Sequence, residues 1–134
     1  MRALIEQVAD INSRVAGASR LLHYYNFMFD IQDAAELIAR IRPQLDDLQL
    51  TAMNRAHWLG LESLAHQLNE FDPVRSDLTL RQGLELLTIH GLHFLSILFR
   101  ARAAMLCLEA ADADGAAEHQ IGRASCRERV YSSV

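Results

Sequence analysis

The feature that most constrains the fold is a run of small and apolar residues that steps by four and three between Asp77 and Ala111. Its members are Leu80, Leu84, Leu87, Gly91, Phe94, Leu98, Ala101, Met105 and Leu108. This is the a/d spacing of a heptad, which places all nine residues along one side of an α-helix and which a β-strand cannot use. Asp77 is a suitable N-cap for such a helix. The stretch therefore predicts one long helix whose heptad seam lies in the core.

The same helix is predicted to be apolar on its other sides as well. Its surplus face carries Leu86, Ile89, His90, His93, Ile97 and Cys107. Because a helix that is apolar all round has to be covered all round, we interpret these six residues as an interface. A membrane span is disfavoured, since the apolar run is shorter than the roughly 20 residues that a bilayer core requires and contains two histidines.

Two further long helices are predicted by the same spacing. The first runs from Arg2 to Phe29, with Leu4, Val8, Ile11, Val15, Ala18, Leu22 and Tyr25 along its seam. The second runs from Pro43 to about Glu70, and Asp72-Pro73 ends it. A short helix lies between them and begins at Asp33, which with Glu36 has the composition of a capping box. Pro43 either kinks this short helix or begins the next one, and we favour the second alternative.

These elements predict an all-α fold for residues 1–120, taken as a single domain. The expected architecture is an elongated antiparallel helical bundle of three long helices and one short helix, with coiled-coil-like packing. Helices of roughly 28 to 34 residues would be about 40 to 50 Å long. Three such helices form a thin rod that leaves part of the last helix uncovered. A second copy of the chain would cover it, so we expect a homodimer, most simply about a two-fold axis.

Residues 121–134 differ in character from the alanine-rich, acidic stretch before them. Ile121 to Val130, IGRASCRERV, resembles the translated read-through of a short-read sequencing adapter. We interpret 121–134 as a non-native tail that is not part of the folded domain. The tail carries three arginines and one glutamate, so the first 120 residues are two charges more negative than the formal net charge of -4 of the whole chain.

Composition argues against several classes of protein. An acidic chain lacks the basic face that nucleic-acid binding requires. Outside the tail, Cys107 is the single cysteine, which leaves no intrachain disulfide and fits a reducing cytoplasm. All thirteen basic residues are arginine, as is typical of a GC-rich bacterial genome. Because acids and arginines recur through the N-terminal helix, it does not have the layout of a signal peptide. We therefore expect a cytoplasmic protein that binds neither nucleic acid nor membrane.

An aromatic segment, HYYNFMFD, closes the first predicted helix. Its rings, on Tyr24, Tyr25, Phe27 and Phe29, lie on several sides of about one and a half helical turns. Packing at the end of the bundle is the favoured interpretation, since large rings are mostly buried. A ligand pocket or a partner surface is the alternative, because aromatic residues are enriched at both.

Histidines in such a bundle could bind a metal or haem. His90 and His93 are three residues apart on one predicted helix, a spacing that lets two side chains share a metal. Glu62 and His66 are four residues apart, whereas ferritin-like di-iron bundles use Glu-x-x-His. The candidate metal or haem ligands are therefore His90 and His93, with His57 as a third, although our main expectation is a protein with no cofactor.

The segment NRAHWLGLESLAHQL, with His57 near its start, resembles the phosphorylatable helix of histidine phosphotransfer domains, which are also helical bundles. The resemblance implies phosphotransfer through His57. The chain departs from that family's pattern, since the lysine that usually follows the histidine is absent and Gly60 lies one residue closer.

The sequence contains no recognisable Ser-His-Asp or Cys-His arrangement and no glycine-rich phosphate loop. We therefore expect a non-enzymatic protein that acts through self-association and partner binding, in regulation or scaffolding, with a partner helix in a hydrophobic groove. The alternatives are a metal- or haem-binding bundle and, more remotely, a phosphotransfer module.

Overall fold

The computed structural model describes residues 7, 10–70, 72–109, 115 and 118. Within this part of the chain every regular element is helical. The elements are α1 (Ile11–Met28), α2 (Ile31–Ile41), a 3-10 turn (Arg42–Gln44), α3 (Ala52–Asn69), α4 (Pro73–Ile89) and α5 (His93–Glu109). The helices pack against one another, and the prediction of an all-α helical bundle is confirmed.

α1 begins later than the heptad spacing predicts. Asp10 has an extended backbone (φ −74°, ψ 121°), and its carboxylate accepts hydrogen bonds from the backbone N–H of Ser13 at 2.8 Å and of Asn12 at 3.4 Å. The continuous helix predicted from Arg2 is therefore interrupted, because an N-cap residue itself leaves the helical conformation. Residues 1–6, 8 and 9 of that prediction lie outside the described residues.

The corner between α1 and α2 is formed by Phe29 and Asp30. Phe29 has a left-handed backbone (φ 55°), which ends α1. Asp30 then caps α2, since its Oδ1 accepts a hydrogen bond from the backbone N–H of Asp33 at 3.3 Å. The predicted start at Asp33 is thus three residues too late, because the first of two aspartates at cap spacing takes the role.

α2 ends just before Pro43 and is not kinked by it, as we favoured from the sequence. The next helix, α3, does not begin at Pro43, however. Pro43 lies at the start of the 3-10 turn, and α3 begins at Ala52 after Thr51, whose hydroxyl accepts a hydrogen bond from a backbone N–H. The intervening residues turn around Asp47, whose Oδ1 accepts from the backbone N–H of Gln49 at 2.8 Å. An aspartate that bonds the backbone two residues ahead favours a turn over a helix.

The long helix predicted from Asp77 is divided into α4 and α5 at Gly91. Gly91 has a positive φ of 69°. Leu92 donates its backbone N–H to the carbonyl of Leu87 at 2.8 Å, and Gly91 donates to that of Thr88 at 3.3 Å. This pair of bonds is the Schellman arrangement that ends helices. The heptad spacing could not reveal the break, since glycine is also tolerated on a tightly packed seam.

α4 starts earlier than predicted, at Pro73. Asp72 rather than Asp77 is the N-cap, because its Oδ1 accepts a hydrogen bond from the backbone N–H of Arg75 at 3.0 Å. With these breaks the five helices have 11 to 18 residues and are about 17 to 27 Å long. Each described helix is therefore shorter than the predicted 40 to 50 Å, and the long helices predicted from Arg2 and from Asp77 are each interrupted, at Asp10 and at Gly91.

The main core lies between α1, α2 and α3. Its fully buried members include Val15, Leu22 and Trp58, the single tryptophan of the chain. α4 packs closely on α3 through two serines: Ser63 Oγ donates to the carbonyl of Ser76, and Ser76 Oγ to the carbonyl of Ser63, each at 2.7 Å. The two hydroxyl groups are therefore hydrogen-bonded although they are buried, and the small side chains let the two helices approach closely.

α5 folds back over α4 and also contacts α3. A second apolar cluster joins Leu80 of α4 to Ala103 and Leu106 of α5, with Phe99 packed beside it. Arg102 Nη2 donates to Gln67 Oε1 of α3 at 2.7 Å. None of the helices in the described part of the chain is both long and apolar enough to cross a bilayer.

Candidate functional site

α5 exposes the part of the heptad that was predicted to lie in the core. We call Phe94, Leu98, Ala101, Met105 and Leu108 the α5 seam. Its four large side chains are between 61% and 70% exposed, whereas Ala103 and Leu106, on the other side of the helix, are buried. The core prediction holds for Leu80 and Leu87 of α4 and is wrong from Phe94 onward, because the reversal at Gly91 turns a different side of α5 toward the bundle.

The six residues predicted as an interface are divided between surface and interior. Ile89, His90, His93 and Ile97 are exposed, whereas Leu86 packs partly buried against the main core. Cys107 is buried within its own chain, on the inner side of α5. The interface itself stays a prediction. The exposed apolar side chains among its residues are Ile89 and Ile97, and the α5 seam adds four more.

The aromatic segment at the end of α1 is mostly outside the core. Only Tyr25 of the described rings in this segment is buried, while Tyr24, Phe27 and Phe29 are exposed. The packing interpretation therefore applies to Tyr25 alone, since consecutive residues of a helix point in different directions and the bundle covers one of them. Phe27 and Phe29 line a groove of about 330 Å³ together with Leu64 and Leu68 of α3.

The described interior contains a buried carboxylate, Glu62, which we considered from the sequence only beside His66 as a metal ligand. Glu62 of α3 is fully buried, and Arg42 Nε donates to its Oε1 at 2.9 Å while Arg42 Nη2 donates to the same oxygen. Trp58 Nε1 donates to the other oxygen, Oε2, at 3.0 Å. His66 Nε2 lies 3.3 Å from Oε1, and its Nδ1 lies 3.0 Å from Glu70 Oε2. The network joins the 3-10 turn to α3.

These contacts determine the charge of Glu62. Burial raises the pKa of Glu62, but hydrogen bonds with His66, Arg42 and Trp58, together with the positive charge of Arg42, lower it by more, and its pKa lies below the ordinary value of 4.5. Since its oxygens are taken by these groups and it has no exposed surface, Glu62 holds Arg42 in place and does not face a ligand.

Arg42 lines a groove of about 540 Å³ between the connection from α2 to α3, α3 itself and α4. A second arginine of the groove, Arg55, donates from Nη2 to the backbone carbonyl of Asp47 at 3.1 Å. Two carboxylates, on Asp46 and Glu85, also line it. The groove therefore combines two anchored guanidinium groups with two acidic groups.

The predicted metal ligands His90 and His93 lie on the surface at the junction between α4 and α5. Among the described residues no group of three or more histidine, cysteine, aspartate or glutamate side chains is arranged to hold a metal ion. Glu62 and His66 are adjacent, as their four-residue spacing predicts, but Glu62 is committed to Arg42 and Trp58. Metal or haem binding through His90 and His93 stays a prediction.

His57, the residue that carries the phosphotransfer resemblance, lies on an exposed side of α3. Partial burial, with a smaller effect of the charge of His23, lowers the pKa of His57 below its ordinary value. Phosphotransfer through His57 stays a prediction.

Comparisons with known proteins add no family to this description. No family model, curated protein or solved structure matches the chain. Function has to be inferred from the chain's own surfaces, and among these the α5 seam is an exposed apolar face that the heptad spacing predicted to lie in the core.

Proposed function

We propose that this chain is a non-enzymatic association module that forms a homodimer by packing the α5 seams of two copies together. The observation that carries the proposal is the exposure of four large apolar side chains at heptad spacing: Phe94, Leu98, Met105 and Leu108. In this role the protein serves regulation or scaffolding, because a helix face of this kind acts by engaging another helix.

The size of the exposed surface supports the proposal. Four such side chains leave on the order of 500 Å² of apolar area exposed, which is at the upper end for the largest patch on a monomer. A standard interface buries about 800 Å² per partner, and Ile97, also exposed, lies beside the seam. The seam contains no charged residue, so its burial would strand no charge.

A second copy of the chain is the occupant that fits best. Heptad spacing is self-complementary, since the side chains of one helix enter the gaps between those of an identical helix. A two-fold axis lets the same patch serve both partners and closes the assembly at two copies. The opposite side of α5 is already covered by α3 and α4, which leaves the seam as the face available for the partner.

The proposal is tested by the oligomeric state of the full chain in light scattering at micromolar concentration. We expect a dimer for the wild-type protein and a monomer for Leu98→Glu, because the introduced carboxylate would be buried at the centre of the seam. Leu48→Glu is the matched control: Leu48 is 100% exposed and lies outside the seam, so this variant should stay dimeric. A monomeric wild-type chain, or a dimer that Leu98→Glu leaves intact, contradicts the proposal.

A further inference from the structure

The groove lined by Arg42 and Arg55 is a concave part of the described surface in which several charged side chains lie together. Its volume of about 540 Å³ is within the range of small-molecule sites, roughly 300 to 1,000 Å³. It lies on the face formed by the 3-10 turn, α3 and α4, and no residue of the α5 seam lines it. A function of this groove is therefore independent of the proposed dimer.

Both arginines of the groove are fixed by hydrogen bonds to other residues of the chain. Arg42 uses Nε and Nη2, which form one edge of its guanidinium group, to bond Glu62, while half of its side chain is exposed. Arg55 is tethered through Nη2 to the carbonyl of Asp47, and its Nε is buried with no hydrogen-bond partner among the described residues. Guanidinium groups fixed in this way lose little conformational freedom when they bind a planar carboxylate.

The acidic residues of the groove favour a ligand that carries a positive as well as a negative charge. Asp46 and Glu85 line it together with the two arginines, and Glu62 already neutralises Arg42. A ligand with only an anionic group would meet this excess of negative charge, whereas a ligand that also carries a cationic group would be attracted to it. The remaining wall is apolar and includes Leu45, Leu59 and Leu86.

The geometry points to a binding site for a zwitterionic small molecule with an apolar body, which is the chemistry of a free hydrophobic amino acid. Its carboxylate binds at Arg55 and at the unoccupied edge of Arg42. Its ammonium group binds at Asp46 and Glu85, and its side chain packs on the leucines. Both charges are recognised, so neither the carboxylate nor the amine alone suffices.

The test is isothermal titration calorimetry of the full chain with L-phenylalanine and with two analogues that each lack one charge. We expect L-phenylalanine to bind, and 3-phenylpropionate and phenethylamine to bind about tenfold more weakly or not at all. Arg55→Gln should weaken L-phenylalanine by about tenfold, and Glu85→Gln should weaken L-phenylalanine but not 3-phenylpropionate. Arg81→Gln is the control for lost charge, since Arg81 bonds Asp77 outside the groove and its loss should not change binding.

Two results overturn the site. Absence of L-phenylalanine binding at millimolar concentration, with no heat at either of two temperatures, contradicts the site, since a binding enthalpy that is zero at one temperature is not zero at the other. Equal affinity for 3-phenylpropionate and L-phenylalanine would mean that the acidic residues do not take part. Circular dichroism of each variant establishes that it is folded. Leu98→Glu should bind L-phenylalanine like the wild type, so a failure of the dimer proposal and a failure of this site are separately visible.

Discussion

The Phe99 ring of α5 lies against Gly83 of α4 so closely that a Cβ at Gly83 would stand 2.5 Å from Phe99 Cε1. Gly60 of α3 faces the same ring, and a Cβ there would stand 3.0 Å from Cζ. The Phe99 ring thus packs against two glycines on neighbouring helices. Because this contact places the Phe99 side of α5 against α3 and α4, the α5 seam faces outward.

Gly83→Ala should lower the stability of the protein. The added methyl group would overlap the Phe99 ring, and we expect a loss of about 1 to 3 kcal/mol. The loss should outweigh the gain of up to about 1 kcal/mol that alanine usually brings to a helix interior. Urea denaturation, followed by the fluorescence of the buried Trp58, measures the difference.

Two variants separate this overlap from a general effect of losing glycine. Gly60→Ala should cost less, because its methyl group would meet the ring at a longer distance. In the double variant Phe99→Leu with Gly83→Ala, the loss in the free energy of unfolding should be smaller than the sum of the losses in the two single variants, since the smaller side chain leaves room for the methyl group. Additive effects in the double variant would show that the two residues do not share a contact.

The sequence predicts the helices better than their ends. Heptad spacing identified the helical segments, because apolar residues that recur every three or four positions are typical of a helix, whereas the predicted caps Asp33 and Asp77 were replaced by Asp30 and Asp72. The breaks at Asp10 and Gly91 were missed, since each residue also fits a continuous helix and only the hydrogen bonds of the folded chain distinguish the two cases. At Gly91, a three-residue reversal turned one predicted helix into a hairpin.

Gly91→Ala should destabilise the reversal between α4 and α5 by about 1 kcal/mol, the cost of a positive φ for a residue with a Cβ. No atom lies within 4 Å of the position that the Cβ would occupy, so the cost is conformational and not steric. Gly91→Asn is the matched control, because asparagine adopts left-handed backbone more readily and should lose less. Urea denaturation of the two variants measures the difference, and equal losses would contradict the backbone explanation.

The candidate surfaces were predictable only in part. Periodicity grouped the residues of the α5 seam correctly, but it could not tell which of two apolar sides of α5 the chain itself would cover. For the buried network, the four-residue steps from Trp58 through Glu62 to His66 place these residues on one stripe of α3, with Glu70 one step further at its C-cap, which is a signal that the sequence offers. The contact with Arg42 joins residues 20 apart across a turn, and no local pattern predicts it.

Glu62→Gln should destabilise the protein at neutral pH and less so in acid. Removal of the buried charge leaves Arg42 without its counterion, and we expect the free energy of unfolding to fall by about 2 to 4 kcal/mol.

Because the pKa of Glu62 is lower in the folded chain, its ionisation stabilises the fold above the unfolded-state pKa, and this contribution disappears as the pH falls through the lower folded-state value. The stability difference between wild type and Glu62→Gln should therefore narrow from about pH 6 to about pH 3, measured by urea denaturation at each pH. Asp77→Asn, which removes the carboxylate of a partly exposed ion pair with Arg81, should change stability by at most about 1 kcal/mol at neutral pH. A stability difference for Glu62→Gln that stays constant across this range would mean that the ionised carboxylate is not what anchors Arg42.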